Sequence, residues 1–164
     1  MMNEAIVTWN NSYSVGIKLI DEQHIKLIEL TNKLFSSCME GNERKKSDSI
    51  FLGVIHEIID YVCYHFSTEE KVMERINYPG YKMHMQEHSA FAKKVLSKVE
   101  EFKLSNANTS LSFVYFLRNW VLHHIAIRDK LLGSHLLDMK KRGMLQQITL
   151  KAKKDAETNK ILIE

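Results

Sequence analysis

Four stretches of this sequence repeat apolar residues at spacings of three and four, and each carries histidine on its apolar stripe. That period lines up one face of an α-helix. The first stretch, about 17–39, has Ile20, His24, Leu27, Leu30, Thr31, Leu34 and Cys38. The second, about 48–76, has Ile50 or Phe51, Val54, Ile55, Ile58, Val62 and Phe66, with His65, Glu69 and Met73 continuing along it. The third, about 81–103, has His84, His88, Phe91, Val95, Val99 and Phe102, and the fourth, about 110–132, has Phe113, Leu117, Trp120, His124, Ile127 and Leu131. Helices of this kind with short links bury their stripes against one another, which predicts an all-α, up-down-up-down four-helix bundle. One proline and six glycines are too few for the turns of a sandwich or barrel.

The links read as breaks. Gly41-Asn42 closes the first helix, Ser47 or Asp48 caps the second, and Asn77-Tyr78-Pro79-Gly80 separates the second from the third. Thr109 or Ser110 caps the fourth, and Gly133 is expected to interrupt it. Residues 1–17 read as an arm laid across the domain, with Trp9 docking on apolar surface. Residues 1–137 form the expected domain, and 138–164 a C-terminal extension in which Leu145, Ile148 and Ala152 line one side of a short helix.

Charge narrows the partners. Seven of the 23 Lys and Arg and four of the 20 Asp and Glu lie from Asp138 onward, so the rest of the chain holds sixteen of each. The domain has no electrostatic footprint for nucleic acid. No apolar run is long enough to span a membrane, and the first residues do not read as a signal peptide. Cys38 and Cys63 are too few for a disulfide scaffold and read as reduced thiols in the core of a cytoplasmic protein.

Five histidines, His24, His65, His84, His88 and His124, fall on inward faces of four helices. A single buried histidine is ordinary, but five in one small core need partners that these faces do not offer. With the carboxylates Glu69 and Asp129 they make a ligand set for transition-metal ions. His65 with Glu69, and His84 with His88, stand four apart and share a helix face. His124 and Asp129 are five apart, about 140° around an ideal helix at roughly 100° per residue, and periodicity does not choose between His123 and His124. If two ions share Glu69, Asp129 and one solvent-derived oxygen, three histidines fill one ion. Two histidines leave the other ion a single open position, the mark of a reactive site.

These residues carry a resemblance. Trp9 with Tyr13 to Gly16, Ile20-Asp-Glu-Gln-His24, Tyr61 through His65-Phe66 to Glu69-Glu70, Tyr78-Pro79 with His84 and Glu87-His88, and Trp120 through His124-Ile125 to Asp129-Lys130-Leu131 resemble the bacterial hemerythrins, in the same order over about residues 7–135. The resemblance implies two iron ions, cycling between Fe2+ and Fe3+ under an oxo or hydroxo bridge. His84, His88 and His124 would bind one and His24 and His65 the other, with Glu69 and Asp129 bridging. It favours His124 over His123 and Glu69 over Glu70, leaving Glu70, His56, His123 and His135 as surface or packing residues. It also implies reversible O2 binding at the open iron, for transport, storage or delivery and without catalysis.

Ferritin-like di-iron proteins use Glu-x-x-His motifs and four carboxylates, and no histidine here has a glutamate three residues before it. Apolar walls around the O2 site are expected from Leu27, Phe66, Trp120, Val121 and Ile125. Relatives often have Tyr three residues after the bridging aspartate, where this chain has Leu132, a change read as altering pocket polarity or the lifetime of the O2 adduct. The alternatives are an O2 or redox sensor signalling through the extension, and a di-iron oxidase or peroxide- or NO-consuming enzyme. The extension is also the expected place for a protein partner or self-association.

Overall fold

The computed structural model describes residues 5–39, 44–104 and 109–144. A short 3-10 turn (Asn11–Tyr13) leads to α1 (Lys18–Met39), α2 (Arg44–Arg75), α3 (Tyr81–Leu104) and α4 (Thr109–His124). α4 continues through a five-residue π-helical segment (Ile125–Asp129) into α5 (Lys130–Lys141). The described residues contain no strand. α1 packs on α2 and α4, and α3 lies against the same two helices, closing an up-down-up-down four-helix bundle.

The core forms two apolar clusters. The larger holds Leu27, Leu30, Leu34, Phe51, Ile55, Val62, Phe66, Phe91, Phe113, Leu117, Val121 and Ile125 among others. The smaller holds Val15, Ile20, Met73, Ile76, Leu132, Leu136 and Met139. Each fully buried side chain of this size contributes about 1.5–3 kcal/mol. Along α1, His24 falls between Ile20 of one cluster and Leu27 of the other. Along α2, His65 and Glu69 fall between Val62 and Met73, and along the last helix Asp129 falls between Ile125 and Leu132. The polar layer thus has an apolar cluster on either side of it along each of these helices.

The structure departs from the sequence reading in several places. α2 begins at Arg44, so Ser47 and Asp48 lie inside it and do not cap it. Of the two residues the reading left open, Phe51 faces inward and Ile50 outward. Ile127 and Leu131, expected inside, are 41% and 52% exposed, because the π-helical segment inserts one residue and rotates the remainder of the helix. Ile125, Leu132 and Leu136 take the inward positions.

Gly133 does not interrupt the helix. A Cβ there would lie 2.4 Å from the Val15 carbonyl oxygen, so the glycine lets the arm cross close to the helix. The helix stops ten residues later, where Gly143 takes φ +71° and the Arg142 and Gly143 amides donate to the carbonyls of Asp138 and Lys140. The expected boundary at residue 137 therefore falls inside a continuous helix. The expected helix around Leu145, Ile148 and Ala152 lies outside the described residues.

The arm is held by Val7 and Val15, both buried, more than by the half-buried Trp9, whose ring meets Tyr13 at 6.0 Å. Asn32 exchanges two hydrogen bonds with the Val7 backbone, at 3.0 and 2.8 Å. Asp21 accepts from the Ser14 hydroxyl and the Val15 amide, both at 2.7 Å, and the Lys130 ammonium donates to the Ser14 carbonyl. Cys63 is exposed, one position off the inward stripe, and is not in the core. Cys38 is half-buried, and burial pushes its thiol pKa up to about 11.

Candidate metal centre

Seven side chains meet in the polar layer: His24 from α1, His65 and Glu69 from α2, His84 and His88 from α3, His124 from α4 and Asp129 from the π-helical segment. None is more than 3% exposed. His123 faces solvent and Glu70 is only half-buried, which separates both from their neighbours. The five-residue spacing of His124 and Asp129 has a local cause. The Lys130 amide donates to the Ile125 carbonyl, a bond spanning five residues, so one wide turn brings both side chains to the same face.

The seven form two groups whose ligand atoms lie within 4.8 Å of one another: Glu69, His84, His88 and His124, and His24, His65, Glu69 and Asp129. In the first, the Nε2 atoms of His84 and His88 each lie 3.0 Å from His124 Nε2, and Glu69 Oε2 lies 3.3 and 3.4 Å from those of His84 and His88. In the second, His24 Nε2 is 3.1 Å from Asp129 Oδ2 and His65 Nε2 is 3.8 Å from Glu69 Oε1. Asp129 Oδ1 also lies 3.2 and 3.3 Å from the Nε2 atoms of His84 and His124. Each carboxylate therefore turns one oxygen to each group.

The arrangement fits cations. Imidazole nitrogens facing one another at 3.0 Å repel unless a proton or a metal ion stands between them. Both oxygens of Glu69 and of Asp129 and both nitrogens of His24 are buried without a hydrogen bond. Such orphaned groups are costly inside a protein, and metal ions would satisfy the carboxylate oxygens and the inward Nε2 of His24 together. The same conflict shows in the protonation of the metal-free cluster. Burial works to push the Glu69 pKa up, as does the Asp129 charge, yet His65 and the close imidazoles of His84 and His88 hold it at about 2. Asp129 is likewise held low, against its burial, by His124, His24 and His84. Burial would lower His84, but the carboxylates of Asp129 and Glu69 close beside its ring raise it to about 9. Burial pushes His124 down to about 4 and also lowers His65.

Outer contacts hold the rings. His88 Nδ1 donates to Glu70 Oε1 at 3.0 Å, and His65 Nδ1 donates to Gln23 Oε1 at 3.0 Å. His124 Nδ1 lies 3.6 Å from Glu87 Oε2, whose other oxygen is clamped by Arg128 at 2.6 and 2.5 Å. These partners keep the Nδ1 protons outward and leave the Nε2 lone pairs inward. Phe66 stacks on His88 at 3.6 Å and Trp120 on His124 at 4.4 Å. Beside the layer, Leu27, Phe66, Trp120, Val121 and Ile125 line one small cavity with Val62, His65, His124 and Asp129. It has room for no more than about one water-sized molecule.

A family model of the hemerythrin HHE cation binding domain matches residues 15–136. The chain belongs to the hemerythrin family. Among hemerythrins, the bacteriohemerythrin of Clostridium acetobutylicum is 31% identical over 123 residues, 74% of this chain and 95% of the relative. That of Methylococcus capsulatus is 27% identical over 130 residues, 79% and 95% of the two chains. The crystal structure of wild-type hemerythrin superposes with a TM-score of 0.67 at 27% identity, covering 79% of this chain and 97% of the other.

Every residue that the sequence reading placed at the site is in this layer or on this cavity. Leu132 is not: it packs fully buried in the smaller cluster with Val15, Ile20 and Met73, so it does not set the polarity of the cavity wall. The sequence did not point to the outer partners Gln23, Glu70, Glu87 and Arg128 in this role, nor to Val62 as a cavity wall. Gln23 and Glu70 each flank a site residue in sequence, but adjacency alone does not say which ring they reach.

Proposed function

We propose that this hemerythrin binds O2 reversibly at a non-haem di-iron centre and serves as a carrier, store or delivery protein, without catalysing a reaction. The observation that carries the reading is a histidine-rich, carboxylate-poor set in two adjoining groups beside an apolar cavity. His84, His88 and His124 would hold one iron and His24 and His65 the other. Glu69 and Asp129, each with an oxygen toward both groups, would bridge them with a solvent-derived oxo or hydroxo. Iron held by these residues would supply, through its Fe2+ and Fe3+ states, the redox chemistry that O2 binding needs.

The chain's own residues determine how the site treats its ligand. With Glu69 and Asp129 shared, the two-histidine position would have one ligand fewer, and its His65 lines the cavity together with His124 of the other group. Leu27, Val62, Phe66, Val121 and Ile125 keep water and proton donors from that side. Trp120 presents the face of its ring to His124, with no carboxylic acid or ammonium on the cavity wall apart from the bridging Asp129. A site walled in this way favours release of O2 over its protonation and reduction. Among the described residues, no helix is long and apolar enough to cross a membrane.

O2 uptake by the anaerobically reduced, iron-loaded protein tests the reading. Uptake should stop at one O2 per two irons, with excess reductant left unconsumed. Continued O2 consumption would instead make the protein an oxidase. A second reading, sensing, draws on one feature: Asp129 immediately precedes α5, which runs unbroken to Lys141 and so ties a bridging ligand to the C-terminal extension. Identical protease susceptibility of that extension in the reduced and oxygenated forms would remove this reading.

A further inference from the structure

The two metal positions are not equally supported from outside. On the three-histidine side, His88 donates to the Glu70 carboxylate at 3.0 Å, and the Glu87 carboxylate stands 3.6 Å from His124 Nδ1, fixed there by Arg128. On the two-histidine side, the corresponding acceptor for His65 is the neutral amide of Gln23, itself 3% exposed and steadied by Thr68 at 3.4 Å. One ring on each side, His24 and His84, has no hydrogen-bond partner on its outer nitrogen among the described residues. The difference therefore lies in the carboxylates behind His88 and His124 against the amide behind His65. A carboxylate behind an imidazole draws on its N–H and makes the inner nitrogen a stronger donor, while an amide orients the ring with little added charge.

From this asymmetry we propose that Glu70 and Glu87 are positioning residues that bias the centre, so that the three-histidine position takes up metal first and more tightly and the two-histidine position fills second. The inference rests on the di-iron reading above and adds to it an order of loading and the residues that set it. It also gives the Gln23 amide a purpose: a neutral partner keeps the second position, whose His65 lines the cavity with His124, the weaker and more labile of the two.

Anaerobic titration of the metal-free full chain with Fe2+, in competition with a chelator, reads both dissociation constants. The native protein should show two separable steps. Glu70→Gln keeps a hydrogen-bond acceptor and removes the charge, and should weaken the first step by about 10- to 100-fold while leaving the second within a few fold. Gln23→Glu should tighten the second step and draw the two constants together. An unchanged thermal midpoint of the metal-free variants marks these as effects on the metal and not on the fold. Two indistinguishable steps in the native protein would overturn the proposal, as would a Glu70→Gln effect confined to the second step. If Glu70→Gln does not fold, Gln23→Glu decides alone, and a second step that does not tighten overturns it. A native protein binding fewer than two Fe2+ would instead remove the di-iron reading itself.

Discussion

At the scale of single residues, the site sets buried charge against buried apolar surface. Val121 lies on the cavity wall, 3% exposed, beside His124. Val121→Thr keeps the shape and adds a hydroxyl, costing about 1–3 kcal/mol of stability. It should shorten the life of the oxygenated form by placing a proton donor in the cavity. The decay of that form at fixed temperature measures this, and an unchanged lifetime would separate the cavity from O2 binding.

Protonation offers a second prediction, for the metal-free protein. Glu69 sits at about 2 against an ordinary 4.5, so its contribution is full above pH 4.5 and is lost as the pH falls toward 2. His124 sits at about 4 against 6.5. The unfolded chain therefore takes up that proton first, and stability falls as the pH drops from 6.5 toward 4. His84, at about 9, has the opposite sign: its contribution is full below pH 6.5 and is lost as the pH rises through 9. Urea midpoints across this range should peak near pH 6.5. Iron should flatten the profile above about pH 6, because bound ligands no longer titrate there.

At the scale of elements, the π-helical segment and Gly133 decide whether the last helix can serve both the site and the arm. Deleting the exposed Ala126 would leave His124 and Asp129 four apart, a spacing that an ordinary α-helix also brings to one face. That variant should still bind two irons. Inserting an alanine after Ala126 puts them six apart, about 240° around an α-helix at roughly 100° per residue, and should lower the iron content. Iron content per chain reports both. Gly133→Ala would drive a methyl into the Val15 carbonyl, and should cost about 1–3 kcal/mol and free the arm to proteases.

These two places are also where the sequence was least legible. Apolar periodicity assumes one helical phase, so it put Ile127 and Leu131 inside, whereas a single inserted residue turns them outside. Gly133 looked like a stop signal because its cause, the arm crossing from more than a hundred residues earlier, is a tertiary contact. His24, His65, Glu69, His84 and His88 were legible because each lies on a stripe of unbroken period. Gln23, Glu70 and Glu87 were not, because a residue one step off the stripe reads as surface until its partner on another helix is known.

At the scale of the whole molecule, four stripes of one period allow little except a bundle, and five histidines among them allow little except a metal layer within it. That much came from spacing. The resemblance supplied what spacing left open: which of His123 and His124 turns inward, and that Asp129 joins the set despite standing five residues from His124. The central claim is reversible O2 binding by a di-iron pair. The most direct test is an optical spectrum of the iron-loaded, anaerobically reduced protein, taken before O2, after O2, and again once O2 is removed. Visible charge-transfer bands should appear with O2 and vanish on its removal, over repeated cycles. Bands that form and persist after O2 is withdrawn, or no bands at all, would contradict it.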